Sequence, residues 1–75
     1  MDKDTFKQEL GFKIKIERMR RKISQEKLAE MVDCSLSYIG FVERGEMSVS
    51  LYNFLKIATA LNLDLTEFLK EFYTA

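Results

Sequence analysis

Apolar residues recur at helical spacing in two short runs between residues 24 and 45, and each run shares one face of a helix. The first run comprises Leu28, Met31 and Val32, and the second comprises Leu36, Ile39 and Val42. Ser24 and Ser35 precede the runs as candidate N-caps, because a serine hydroxyl can accept a hydrogen bond from the first turn of a helix. Gly45 is suited to end the second helix, since glycine takes the left-handed C′ conformation without penalty. The pattern predicts two short helices joined by a tight turn.

A long helix is predicted before this pair, from about Asp4 or Thr5 to Arg21. One apolar stripe, which we expect in the core, comprises Phe6, Leu10 and Ile14. A second stripe, on another face, comprises Phe12, Ile16 and Met19. The second stripe is too apolar for an ordinary solvated surface, so we expect it to pack against the C-terminal helix, with contact to a partner as the alternative.

Two further helices are predicted after the pair. Ser50 can cap the first of them and Asn62 can end it. Its expected buried face comprises Leu51, Phe54, Leu55, Ala58 and Leu61. Asp64 and Glu67 have the spacing of a capping box for a last helix, which would run from Leu65 to about Tyr73.

The last helix carries more apolar side chains than one face of a small core can absorb. These residues are Leu65, Phe68, Leu69 and Phe72. Excess aromatic surface at a chain terminus is typical of a symmetric dimer interface. The alternative is that Phe68 and Phe72 close the core against Phe6 and Leu10.

Length and composition limit the chain to one small all-α domain. Its 75 residues leave no room for a second core, 47% of them are apolar, and proline is absent. The single cysteine, Cys34, excludes an internal disulfide, and the absence of histidine argues against a Cys/His metal site. No nucleophile has a base at suitable spacing, and no phosphate-binding loop or ligand motif is evident, so we expect neither an enzyme nor a cofactor. Without a membrane span or signal peptide pattern, the expected location is the cytoplasm.

The net charge of zero conceals a polarised distribution. Residues 1–23 contain eight Lys and Arg against four Asp and Glu, whereas residues 24–45 and 46–75 each contain two against four. The basic run before the helical pair comprises Lys13, Lys15, Arg18, Arg20, Arg21 and Lys22. Such a run can contact DNA phosphates, although a solvated helix face is the commoner explanation for basic runs in general.

The spacing and identity of many of these residues resemble the Cro/phage-repressor class, the XRE-like helix-turn-helix regulators. The residues that carry the resemblance are Ser24, Gln25, Glu26, Leu28, Ala29, Ser35, Tyr38, Ile39, Glu43, Arg44, Gly45, Leu55, Ile57, Ala58 and Leu61. The resemblance runs from about Leu10 to Leu69. It implies a compact five-helix, lambda-repressor-like DNA-binding domain over residues 1–75, with the helix-turn-helix at helices 2 and 3, about residues 24–45. Helix 3 would then lie in the DNA major groove.

The resemblance also implies roles for three polar residues. Arg18 and Glu43 would pair beneath the recognition helix, and Arg18 would also face a DNA phosphate. Gln25, the first residue of helix 2, would contact a phosphate at the positive end of that helix. Related domains often end helix 1 with glycine where this chain has Lys22, so we expect either a gentler bend or a left-handed Lys22.

The outer side of the recognition helix has few of the side chains that usually read bases. The residues expected on or near this side, and so expected to contact DNA, are Ser35, Leu36, Ser37, Tyr38, Gly40, Phe41 and Arg44. Leu36 and Phe41 can contact thymine methyl groups, and Gly40 would allow close approach to the DNA. In the next loop, Glu46 stands where related domains often carry basic residues. Specificity would therefore depend on methyl contacts and DNA shape, or else this surface binds something other than DNA.

The sequence thus predicts a small transcriptional regulator that binds double-stranded DNA in a sequence-specific way, as a homodimer on a palindromic operator. The alternative is a helix-turn-helix fold used for protein association, as an antitoxin-like or regulatory partner. The basic run favours DNA, and the apolar, acid-flanked helix 3 favours a protein.

Overall fold

The computed structural model describes residues 1–73, and within that range all regular secondary structure is α-helical. The five helices are α1 (Lys3–Arg20), α2 (Gln25–Met31), α3 (Leu36–Glu43), α4 (Leu51–Leu61) and α5 (Leu65–Tyr73). The predicted all-α, five-helix order is therefore confirmed. The first helix begins slightly earlier than expected, because Asp2 caps it by accepting a hydrogen bond from the Thr5 backbone N–H at 2.8 Å.

Three serines cap the helices that follow. Ser24, Ser35 and Ser50 each accept a hydrogen bond from the backbone N–H three residues later, at 3.0, 3.0 and 3.1 Å. The predicted starts of α2, α3 and α4 are therefore confirmed, and each cap satisfies an N–H group that has no partner within its helix. At the start of α5, Asp64 accepts from the Glu67 N–H at 3.2 Å.

Left-handed residues follow four of the helices. Gly45 lies just beyond α3 with φ +74°, Asn62 beyond α4 with φ +53°, Asp33 beyond α2 with φ +55° and Lys22 beyond α1 with φ +58°. Lys22 therefore adopts the left-handed conformation that the sequence offered as one of two outcomes. A Cβ atom makes this conformation unfavourable, so Lys22 carries backbone strain that a glycine would not.

The core lies between the helices, where α3 packs against α1 and α2, and α4 packs against α2. Its most deeply buried large side chains are Ile14, Leu28, Ile39, Ile57 and Leu61. The helices α1 and α3 approach closely at Gly11, where an added Cβ would lie 2.0 Å from the Val42 carbonyl oxygen. The glycine inside α1 is therefore required by the crossing of the two helices.

Several apolar residues that were predicted to be buried are exposed. On α4 the buried row is Phe54, Ile57, Ala58 and Leu61, while Leu51 and Leu55 are 73% and 44% exposed. Both rows have helical spacing, and only the position of the neighbouring helices selects between them. Met31 on α2 is likewise exposed.

The second stripe of α1 does not pack against α5 as predicted. Phe12 and Met19 are exposed, and Ile16 is half-buried. The helix α5 lies instead against the first stripe, where Phe6 meets Phe72 edge to face with ring centroids 5.2 Å apart. Phe6 is therefore at the edge of the core, whereas Leu10 and Ile14 are fully inside it.

Candidate nucleic-acid interface

A buried polar network joins the helix-turn-helix to α1. Glu43, at the end of α3, accepts hydrogen bonds from Arg18 Nε at 2.7 Å and Arg18 Nη2 at 3.0 Å. Arg18 Nη1 also donates to the Ile23 carbonyl oxygen at 2.7 Å. Only 10% of the Arg18 side chain and 1% of the Glu43 side chain are exposed. The expected Arg18–Glu43 ion pair is present, and it fixes the end of the recognition helix to α1.

Gln25 belongs to the same network. Its Nε2 donates to Glu43 Oε1 at 2.9 Å, which links the start of α2 to the end of α3. The predicted phosphate contact of Gln25 therefore has to use the second Nε2 hydrogen or the backbone N–H groups of the helix start. Arg18 is almost enclosed by its internal partners, so its side chain serves to hold Glu43, to which Gln25 also bonds.

Tyr38 and α4 hold the opposite side of the recognition helix. The Tyr38 hydroxyl accepts a hydrogen bond from Asn53 Nδ2 at 3.1 Å, and Asn53 Oδ1 lies 3.8 Å from the Cys34 sulfur. Tyr38 is half-buried, and its hydroxyl keeps a proton that can be donated to another group. Asn53 is a structural contact that the sequence did not single out, because its partners are distant in the chain.

The outer side of α3 is largely accessible. Ser35 and Ser37 are exposed, Leu36 is 48% exposed and Phe41 is 39% exposed. The exception is Gly40, which is buried beneath the Arg44 side chain: Arg44 Nη1 lies 2.9 Å from the position of a Gly40 Cβ. The expectation that Gly40 brings the DNA backbone close to the helix is corrected here, since a guanidinium occupies that space.

Arg44 is held across the helix by two neighbours. Its guanidinium carbon lies 5.4 Å from the Phe41 ring centroid, and its Nε and Nη2 lie 3.1 and 3.3 Å from the Glu46 carboxylate oxygens. Glu46, in the loop between α3 and α4, therefore neutralises part of the charge that Arg44 brings to this surface.

Most cations of the basic run pair with acidic side chains of the same protomer. Arg20 and Arg21 both pair with Glu17 on the same helix, and Lys13 pairs with Glu71 of α5 and with the Phe68 carbonyl. The hydrogen bond from Arg21 is the main reason why the pKa of the Glu17 carboxyl lies below its ordinary value, and the charge of Arg20 lowers this pKa further. Four of the six cations in the run, counting Arg18, are thus paired within the protomer.

The expected dimer residues of α5 have mixed positions. Phe68 is 6% exposed and Phe72 is half-buried against Phe6, so these two rings help to close the core, which is the alternative that the sequence left open. Leu65 is exposed and Leu69 is half-buried. The larger apolar surface lies on the outer face of α4 and the adjoining end of α2. It comprises Met31, Leu51, Tyr52 and Leu55, and we call it the α4 patch.

The described residues contain neither a metal-binding cluster nor a membrane-spanning helix. In residues 1–73, His, Cys, Asp and Glu side chains form no group that could hold a metal ion. Over the same range, none of the helices has the length and apolarity needed to cross a bilayer.

Comparison with known proteins places this geometry in a family. Residues 14–68 match the family model HTH_3, described as helix-turn-helix. The control protein C.MunI from Mycoplasma sp. is 33% identical over 61 residues, which cover 77% of this chain and 82% of that protein.

Two solved structures share the fold. The restriction-modification controller protein C.AhdI from Aeromonas hydrophila has a TM-score of 0.74 and 42% identity, covering 79% of this chain and 89% of that one. An HTH_3 family transcriptional regulator from Vibrio cholerae has a TM-score of 0.82 and 27% identity, covering 93% of this chain and 39% of that one. With α2 and α3 locked together through Glu43 and the family model spanning both, the chain belongs to the HTH_3 family of helix-turn-helix regulators, as its resemblance to the Cro/phage-repressor class implied.

Proposed function

We propose that this protein is a transcriptional regulator that binds double-stranded DNA through the outer side of α3, and that it acts as a controller protein of restriction-modification genes. The observation that carries the proposal is the anchoring of α3. Both ends of the helix are fixed by polar contacts, at Tyr38 and at Glu43, while its outer side is left accessible. A rigid helix with an accessible face is what insertion into a major groove requires.

The proposal of a restriction-modification role comes from two similar proteins. C.MunI is a control protein, and C.AhdI is a restriction-modification controller protein. Both are similar to this chain over more than three quarters of its length. The similarity supports the biological role, and the geometry of α3 supports the mode of binding.

A protein-binding role is the second candidate, because two observations favour it. The outer side of α3 presents apolar Leu36 and Phe41, and residues 24–45 contain four acidic against two basic residues. The basic side chains of α1 are mostly paired within the protomer, which reduces the positive field available to attract DNA.

A gel-shift titration at several salt concentrations distinguishes the two candidates. The probe is duplex DNA from immediately upstream of the protein's own coding sequence, with a shuffled duplex as the control. DNA binding predicts tighter binding to the natural duplex, and an affinity that falls steeply as salt rises, since phosphate contacts release counterions. Equal and weak binding to both duplexes at low salt would instead favour the protein-binding role.

Gln25→Ala tests the proposed phosphate contact in the same titration. We expect weaker binding with an unchanged salt dependence, since glutamine carries no charge, while the circular dichroism spectrum stays that of a folded helical protein. Lys27→Ala is the matched control, because Lys27 lies on α2 but its side chain pairs only with Glu30 of the same helix among the described residues. Unchanged binding by a folded Gln25→Ala protein would exclude the Gln25 side chain from the interface.

We further propose that two copies pair through the α4 patch. Leu51 and Tyr52 are 73% and 72% exposed, and the patch is too apolar to be left in water without cost. Because only residues 44–50 separate α3 from α4, the patch lies near the end of the recognition helix. A two-fold contact there would set two copies of α3 on one side of the dimer, as a palindromic operator requires.

Sedimentation measures the dimer directly. Leu55→Glu places a charge in the α4 patch, and we expect it to raise the dissociation constant of the dimer. Phe12→Glu is the matched control, because Phe12 is 58% exposed on α1 and lies outside the patch. Equal dimerisation by both variants and the wild type would exclude the α4 patch as the interface.

A further inference from the structure

Arg44 reaches the middle of the recognition helix from its far end. Arg44 follows the last residue of α3, yet its side chain folds back over Gly40 and Phe41, one turn earlier. The side chain is 54% exposed in this position. Arg44 thus brings the sole cation of residues 35–45 to the centre of the surface that the proposed function assigns to DNA.

Gly40 makes this position possible. A Cβ at Gly40 would lie 2.9 Å from Arg44 Nη1 and 3.6 Å from both the guanidinium carbon and Nη2. Such contacts are too short for the present arrangement, so any larger residue would push the guanidinium away. Phe41 supports the group from the side through the face of its ring.

Glu46 holds one edge of the guanidinium and leaves another available. The Nε and Nη2 atoms donate to Glu46 Oε2 and Oε1. Among the described residues Nη1 has no hydrogen-bond partner, and Nη2 carries a second hydrogen that points away from Glu46. The edge formed by Nη1 and Nη2 therefore keeps two parallel donors that no described residue takes, on a side chain that is 54% exposed.

We propose that this edge of Arg44 reads a guanine in the operator, with Gly40 and Phe41 as its seat and Glu46 as the group that fixes its orientation. Two parallel N–H donors match the O6 and N7 acceptors of guanine in the major groove. A guanidinium already held in place loses little side-chain freedom when it binds. This inference rests on the proposed function, since it names the base that α3 selects.

The experiment begins by selecting duplexes with the wild-type protein from a random double-stranded library. The tightest duplex is then remade with 7-deazaguanine at each conserved guanine in turn, which removes the N7 acceptor. At one position per half-site we expect the affinity of the wild type to fall about fivefold or more. Arg44→Ala should bind the parent duplex more weakly and should no longer distinguish guanine from 7-deazaguanine at that position.

Gly40→Ala separates a reading role from a structural one. The new Cβ meets only the end of a flexible side chain, and alanine is the better helix former, so we expect Tm to rise. Discrimination at the same guanine should nevertheless fall, because the new Cβ pushes the Arg44 guanidinium out of its position over residue 40. In an Arg44→Ala background, Gly40→Ala should have no further effect on discrimination, since the two changes act through one group.

Three results would overturn the inference, and they differ in what else they affect. If the wild-type protein enriches no duplex, the proposed function fails as well. If Arg44→Ala weakens all duplexes by the same factor and lowers the salt dependence by about one ion, Arg44 contacts a phosphate and the base-reading role is wrong. If Gly40→Ala is folded and distinguishes guanine from 7-deazaguanine as well as the wild type does, the absence of a side chain at Gly40 is not what places the Arg44 guanidinium for reading.

Discussion

The buried ion pair beneath the recognition helix offers the sharpest test of how this fold is held together. Glu43 accepts three hydrogen bonds, two from Arg18 and one from Gln25, and its side chain is 1% exposed. In Glu43→Leu, Arg18 keeps only the Ile23 carbonyl as an acceptor within the described residues. A positive charge is then left almost without partners in the protein interior.

The expected cost of this change follows from its burial. Removing one member of a buried pair costs about 3–5 kcal/mol, because the remaining charge is desolvated without compensation. A domain of this length has a total stability of roughly 4–11 kcal/mol, so the loss is a large part of the whole. We expect the Tm of Glu43→Leu to fall by about 12 °C or more.

The double variant Arg18→Met with Glu43→Leu should behave differently. With both charges removed and apolar groups of similar length in their place, we expect a free energy of unfolding within about 1 kcal/mol of the wild type. Its affinity for DNA should still fall, because Gln25 has lost its anchor at the end of α3.

Urea unfolding followed by circular dichroism at 222 nm measures these differences, and the chain has no tryptophan to serve as a fluorescent probe. Glu46→Leu is the matched control, since it removes a carboxylate from another Arg–Glu pair whose side chains are 54% and 52% exposed. An exposed pair contributes about 0–1 kcal/mol, so this control should unfold near the wild type. Two results would refute the assignment of this cost to an unpaired buried charge. One is a Glu43→Leu protein that unfolds at the same urea concentration as the Glu46→Leu control, and the other is a double variant that is no more stable than Glu43→Leu.

Three further predictions concern stability. Gly11→Ala should destabilise the protein by about 1–3 kcal/mol in urea unfolding, because its Cβ would lie 2.0 Å from the Val42 carbonyl oxygen; a stability equal to or above that of the wild type would contradict the close α1–α3 crossing. Lys22→Gly should raise the free energy of unfolding by about 1 kcal/mol, since φ is +58° at this position, and an unchanged value would show that Lys22 is not strained. Glu17→Gln should be less stable than the wild type at neutral pH, because hydrogen bonds from Arg21 and Arg20 favour the charged carboxylate and lower its pKa in the folded state. That difference should disappear as pH falls through the pKa of Glu17, and a difference that persists in acid would exclude the carboxylate charge as its cause.

Helix starts and ends were predicted from sequence because their causes are local. The serine caps at positions 24, 35 and 50 involve a backbone N–H only three residues away, so the pattern alone locates them. The stops at Gly45 and Asn62 depend on the conformations that single residues tolerate.

The choice of buried face on α4 was not predictable in the same way. Leu51 and Leu55 have the spacing of a core stripe as clearly as Ile57 and Leu61 do. A helix with two apolar rows buries whichever row its neighbours cover, and that depends on how α4 crosses α2 and α3. The second row, which was predicted to lie in the core, is exposed and forms part of the α4 patch. The proposed function assigns this patch to the dimer interface.

The sequence by itself thus determined the number of helices and their limits, because caps and periodicity act over a few residues. The pairing of Arg18 with Glu43, which are distant in the chain, was implied only by the family resemblance. Only the tertiary structure decided which cations remain available, since Lys13 is paired by a residue of α5 far along the chain and Arg18 is enclosed by the packing of α1 on α3. It also decided that Arg44 covers Gly40, because the direction of a long flexible side chain depends on the groups that surround it in space.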